Sequence, residues 1–265
     1  MKQLLSLAAI SLLVSTSAAA NAGNVNKSWF NGASYTHNDG TDNNALMLSS
    51  RYYFAPQASS GVWDDFGYLD TDSNIGVSYI NDDFDNAFSA DGEGFITNQW
   101  FVSGSISDLG NADDHYSLGF GYLYNDNLKL SVRQEEYDNG DATWFKAQYN
   151  HPLNNTDYVG FSIETEDQLD AFNLGARYFR HVGGDSYFAI DVEHNRIDND
   201  FVDDSITNIM ANYYFTRHLA LGLGSYDSDL AVEGKYFFND TYYLTANVVD
   251  TEGGETSSLN FVAQF

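Results

Sequence analysis

The sequence predicts an all-β chain closed into a transmembrane up-and-down antiparallel β-barrel of sixteen strands. Three observations predict it. Apolar and polar residues alternate with a period of two through successive runs of about ten residues, the spacing of strands rather than helices. The turns between runs fall into two classes that alternate along the chain. The last run, Ser258 to Phe265, keeps its alternation to the final residue, with Leu259, Phe261, Ala263 and Phe265 on one face and Ser258, Asn260, Val262 and Gln264 on the other. The end of an ordinary domain frays, whereas a last strand that must pair with the first is held to its tip.

The chain opens on the three parts of a secretory signal. Lys2 is the positive start, Leu4 to Val14 is an apolar run broken by Ser6 and Ser11, and Ala18-Ala19-Ala20-Asn21-Ala22 offers small residues for cleavage. Residues 1–22 therefore read as a cleaved signal peptide and 23–265 as the barrel domain. The apolar run is too short to span a bilayer, and nothing after it approaches the ~18 residues a spanning helix needs. A membrane location then requires a closed sheet, because only a helix or a barrel satisfies every backbone group in lipid.

Composition agrees. Cysteine is absent, which excludes a disulfide framework and thiol chemistry. Proline occurs only as Pro56 and Pro152, as expected of a chain made mostly of paired strands. Aromatics make up 16% of residues, enough to supply girdles at two membrane interfaces. The formal charge of −27 excludes a nucleic-acid partner, which needs clustered Lys and Arg. Such acidity also suits a disordered chain, but the regular Tyr, Phe, Leu and Val content opposes that reading.

In order, the runs are 27–37, 43–54, 73–81, 88–96, 99–106, 115–124, 128–138, 142–150, 157–166, 170–181, 186–196, 205–215, 218–226, 229–238, 241–250 and 255–265. One misread early hairpin would reduce the count to fourteen. The first turn class is flanked by aromatics: Tyr122-Leu123-Tyr124 precede Asn125-Asp126-Asn127, and Tyr236-Phe237-Phe238 precede Asn239-Asp240. Phe265 falls in this class. The second class is acidic and includes Asp82-Asp83, Asp113-Asp114, Asp138-Asn139-Gly140-Asp141, Glu166-Asp167, Asp198 to Asp204, and Thr251 to Glu255. Two classes mean two environments, so the aromatic turns and the terminal Phe265 belong to the periplasmic side and the acidic turns to the outside.

Within runs the faces separate. Tyr116, Leu118, Phe120, Tyr122 and Tyr124 oppose His115, Ser117, Gly119 and Gly121, and Leu219, Leu221 and Leu223 oppose Ala220, Gly222 and Gly224. In a barrel the apolar face meets lipid and the small or polar face meets the lumen. A soluble sandwich alternates too, with the apolar face inward, so periodicity alone does not separate the two. Residues 27–37 show no clear lipid face. Residues 55–72, with Trp63, Phe66 and Tyr68, form a longer connection that parity puts on the periplasmic side.

The signal segment, Arg51-Tyr52-Tyr53-Phe54 with Pro56 after it, Gly119 to Tyr124, and the final strand to Phe265 together resemble Gram-negative outer-membrane general porins, and within them a porin family of gammaproteobacteria. The resemblance covers the barrel through pattern rather than one sharp motif. It implies a location in the bacterial outer membrane, contact with membrane lipid and lipopolysaccharide, passage of small hydrophilic solutes and ions, and often a homotrimer. It also implies that Leu259, Phe261, Ala263 and Phe265 are the signal read by the barrel-assembly machinery. The chain departs from the family at 107–114, too short for the usual inward-folded external loop, and it lacks a latching loop between subunits, which weakens the trimer inference.

Charge on the inward face is where a channel would act. Arg51, Lys129, Arg133, Lys146, Arg177 and Lys235 fall on that face, as a lipid-facing cation would cost about 2–4 kcal/mol at mid-bilayer. Glu135, Glu164, Asp191, Glu193 and Glu233 fall there as well. Basic residues from strands two, seven, eight and ten facing acidic ones from nine, eleven and fourteen would set a transverse field, and rings of charge set ion preference. Trp144, Tyr53, Tyr137 and Tyr243 are the inward aromatics. Asp70-Thr71-Asp72-Ser73-Asn74 and Asp198-Asn199-Asp200 are oxygen-rich but lack the spacing and glycine of a calcium loop, so no metal site is expected. The six histidines are scattered, and the adjacent Glu193 and His194 point to opposite faces of a strand. No nucleophile elbow, zinc motif or phosphate loop appears, so neither catalysis nor a cofactor is expected. The expected function is a passive diffusion channel with modest cation preference. The alternative is a narrow or closed structural or receptor barrel without bulk conductance.

Overall fold

The computed structural model describes residues 25–108, 115–137, 140–199, 202–251 and 253–265. The expected signal peptide, 1–22, lies outside them, as do the acidic tips at 113–114 and 138–139. Sixteen strands form: β1 (Asn26–Asn38), β2 (Asn43–Ala58), β3 (Asn74–Asp82), β4 (Asn86–Phe95), β5 (Trp100–Asp108), β6 (His115–Tyr124), β7 (Leu128–Tyr137) and β8 (Gly140–Pro152). They continue with β9 (Tyr158–Glu166), β10 (Ala171–Gly183), β11 (Ser186–Asn199), β12 (Val202–Thr216), β13 (Leu219–Tyr226), β14 (Asp229–Phe237), β15 (Tyr242–Thr251) and β16 (Gly254–Gln264). Each pairs antiparallel with its neighbours in sequence, and β1 pairs with β16, so the sheet is closed. The count is sixteen rather than fourteen.

Closure runs in register from Phe30 opposite Gln264 to Asn38 opposite Thr256. Phe265 continues it. Its carbonyl accepts from the amides of Ser28 and Trp29 at 2.5 and 2.9 Å, and its own amide donates to Trp29 O at 2.7 Å. The Phe265 ring lies against Trp29 and Tyr242. The tip of the chain is thereby held on both backbone and side chain.

The outer face carries the apolar residues, with Leu118 72% and Leu223 61% exposed. β1 hid its outer face from sequence reading because Asn31 stands between Trp29 and Tyr35. Asn31 accepts from Ser50 Oγ at 2.9 Å, and Ser50 accepts from Trp29 Nε1 at 2.8 Å. The polar groups are spent on one another, which lets an amide sit on an apolar face.

The long connection, residues 59–73, does not hang below the barrel. It turns inward and crosses the lumen at the end that carries the aromatic turns and Phe265, the end expected to face the periplasm. Val62, Phe66 and Leu69 are almost wholly buried. Phe66 packs edge-on against Phe30, and Val62, Tyr68 and Leu69 join Tyr158, Phe179, Tyr187, Tyr214 and Phe237 of the wall. A barrel of this width leaves its lumen open unless something is inserted. Here the inserted piece gives the molecule its hydrophobic core, at one end only. Tyr68 seats over Gly160 of β9, where a Cβ would lie 2.1 Å from the Tyr68 ring, and its hydroxyl donates to Ser162 Oγ at 3.0 Å.

Gly160→Val tests the seat. Valine suits a strand, so the barrel is expected to fold and keep the β-sheet circular dichroism of the wild type. Tyr68 loses its place, and limited proteolysis is expected to cut within 59–73 where the wild type resists.

Candidate functional site

The strand register decides which inward side chains meet. Arg51, Gly76 and Asp91 stand opposite one another on β2, β3 and β4. The missing side chain at Gly76 lets Arg51 reach across to Asp91, Nη2 to Oδ2 at 2.7 Å; a Cβ there would sit 2.8 Å from Arg51 Nη2. Arg51 also donates to Asn74 Oδ1 at 2.5 Å. On β7, Lys129 is buried over the Phe101 ring, 2.5 Å from Glu93 of β4, and donates to Asp70 O at 2.8 Å.

Higher in the lumen, Arg133 lies over the Trp144 ring and pairs with Glu135 at 2.8 Å and with Glu164. Lys146 reaches the same Glu164 at 3.5 Å. Tyr137 donates to Glu135. Across the barrel, Arg177 of β10 pairs with Asp191 of β11 and with Asp65 of the inserted segment, both at 2.6 Å. Tyr158 also donates to Asp65, at 2.9 Å. Lys235 of β14 sits 3.0 Å from Asp64 of the segment and 3.5 Å from Glu233, and Tyr214 donates to Asp64 at 3.0 Å. Glu193 stands directly opposite Asn208.

All eleven charged residues expected on the inward face therefore have their side chains there, but not as two opposed walls. Each of the six cations is ion-paired with acids on its own strand, on nearby strands or on the segment. The expected field between a basic and an acidic wall is corrected to a set of local pairs, because neighbouring strands are about 4.8 Å apart and a lumen of this width is not. Four acids were missing from the sequence reading. Asp91 and Glu93 were legible, since Ser89, Asp91 and Glu93 alternate with Phe88, Ala90 and Gly92. Asp64 and Asp65 had no such signal, because they lie in a segment without periodicity.

Two further groups complete the picture. Leu259, Phe261 and Phe265 are outward and exposed, with Ala263 on the same face. In the turn between β8 and β9, burial works against the charge on Asp157. The His181 amide, Asn154 and Thr156 outweigh it and hold the carboxyl below the usual carboxylate range.

The whole chain, residues 1–265, matches the family described as "Putative general bacterial porin". This chain belongs to the general bacterial porins. Solved structures agree on the fold. The outer membrane protein Omp33 of Acinetobacter baumannii is 17% identical with a TM-score of 0.58, over 91% of this porin and 99% of that chain. Two engineered forms of Rhodopseudomonas blastica porin are 10% and 12% identical with TM-scores of 0.53 and 0.52, over 91% of this porin and 100% and 99% of those chains. A search of curated proteins finds no match. The porin is thus a barrel of the bacterial outer membrane, its exposed apolar belt turned to lipid, and its family is one of channels rather than enzymes.

Arg177→Met tests how the segment is held. Methionine fills the volume but leaves the Asp65 carboxylate buried without its cation, a loss of about 3–5 kcal/mol. The barrel is expected to survive and the segment to detach, read as larger and noisier single-channel conductance than the wild type.

Proposed function

We propose that this porin is a passive diffusion channel for small hydrophilic solutes and ions with a modest preference for cations, and that the inward charged residues line its path. One observation carries the preference. Arg177 and Lys235 each stand between two carboxylates, Asp65 and Asp191 for the first and Asp64 and Glu233 for the second, whereas Arg133 and Lys146 together balance Glu135 and Glu164. The Arg177 and Lys235 clusters are overcompensated, so each carries a net negative charge into the lumen. A low-dielectric wall focuses that field on passing ions.

The alternative, a narrow or closed barrel, draws support from the segment across the periplasmic end. The two readings differ in one measurement. Under a salt gradient in a planar bilayer, the channel reading expects a cation-selective reversal potential, shifted toward anions by Asp191→Asn combined with Glu233→Gln. Anion selectivity in the wild type would refute the preference, and no conductance from folded protein would favour the closed barrel.

The outward face of β16 supports a second role for Leu259, Phe261, Ala263 and Phe265, as the segment the barrel-assembly machinery grips before β1 replaces it. A homotrimer in the outer membrane remains part of the proposal through family membership alone.

A further inference from the structure

The periplasmic floor is unevenly sealed. At floor level many inward side chains are buried, as at Phe30, Phe101, Leu123, Tyr214 and Phe237, and Phe30, Tyr214 and Phe237 pack against the inserted segment. On β8 the residue at this level is Asn150. It keeps partial exposure, and its Oδ1 has no hydrogen-bond partner. A buried carbonyl oxygen without a donor is costly in a dry site and is a natural partner for water or a cation.

Beside Asn150 lies a cavity of about 50 Å³, between Ser60 and Thr71 of the segment and Asp126, Asn154 and Asp157 of the adjoining turns. Its lining contains hydroxyls, amides and carboxylates but no Lys or Arg. Asp157 is held as an anion by the hydrogen bonds described above. A space of this size takes about three or four waters. That is room for water or for an ion shedding part of its shell, and too small for a sugar ring.

We propose that the passage through the floor runs past Asn150 at the corner between β8 and β9, and that it carries water and small cations while excluding sugars. The proposal rests on the channel reading and narrows it: the wide upper lumen gathers solutes, and this corner chooses among them.

The chain has no cysteine, so Asn150→Cys introduces a single thiol. With the folded variant in a bilayer, a cationic thiosulfonate reagent is expected to abolish most of the potassium chloride conductance. Asn150→Trp is expected to do the same, and Asn150→Lys to move the reversal potential toward anions. If Asn150→Trp does not fold, the thiol labelled after folding still gives the answer. Unchanged conductance after labelling overturns the proposal. So does swelling of wild-type liposomes in a pentose solution, which would need a wider opening. A wild type that is folded but silent refutes the channel reading itself, a separate outcome from a conducting wild type indifferent to position 150.

Discussion

A backbone in hydrocarbon must satisfy its own hydrogen bonds, and in this chain that requirement comes down to the pairing of β1 with β16. An open sheet would leave two rows of unpaired amides and carbonyls in lipid. Closing them fixes the circumference and the shape, and separates an outer face that must be apolar from an inner one that need not be. The hold on Phe265, by three backbone hydrogen bonds and two aromatic neighbours, is the visible end of that constraint. Everything inside the barrel is chemistry made possible by closure.

The inner face uses this freedom for charge. Charges removed from bulk water are tolerated only when paired and hydrogen-bonded, and the lumen obeys. The pairs differ in setting. Arg51 and Asp91 keep substantial contact with the lumen, whereas the carboxylates of Asp64 and Asp65 are almost fully covered. The first kind can meet a passing solute. The second holds the inserted segment to the wall, where the hydroxyls of Tyr158 and Tyr214 donate to Asp65 and Asp64 while Asp64 Oδ1 is left without a partner. One device, the ion pair, thus serves both as lining and as anchor.

Much of the barrel was legible in the sequence because strand periodicity is local. Two residues of alternation in β13 already separate Leu221 from Gly222, and no distant contact is needed to interpret them. β1 was harder, since the Trp29, Ser50 and Asn31 hydrogen bonds make a polar residue acceptable where the pattern forbids one. The site was legible by face but not by partner. That Arg177 points inward follows from its neighbours; that it meets Asp65 depends on a segment more than a hundred positions earlier folding across the lumen. Trp63, Phe66 and Tyr68 marked the connection as unusual, but an aperiodic stretch gives no direction in which to place them.

The same separation governs how the molecule can be built. The segment is made early, directly after β2, while the cations that fasten it arrive with β7, β10 and β14 and the glycine that seats Tyr68 arrives with β9. Phe66 can meet Phe30 of β1 and Tyr53 of β2 at once, but the ion pairs and the seat of Tyr68 wait for the later wall. The segment's apolar side chains, Val62, Phe66 and Leu69, must travel unsheltered through the periplasm and the assembly process. The floor therefore cannot be fully fastened before β14 is in place, and until then the segment stays open to proteases and to wrong partners.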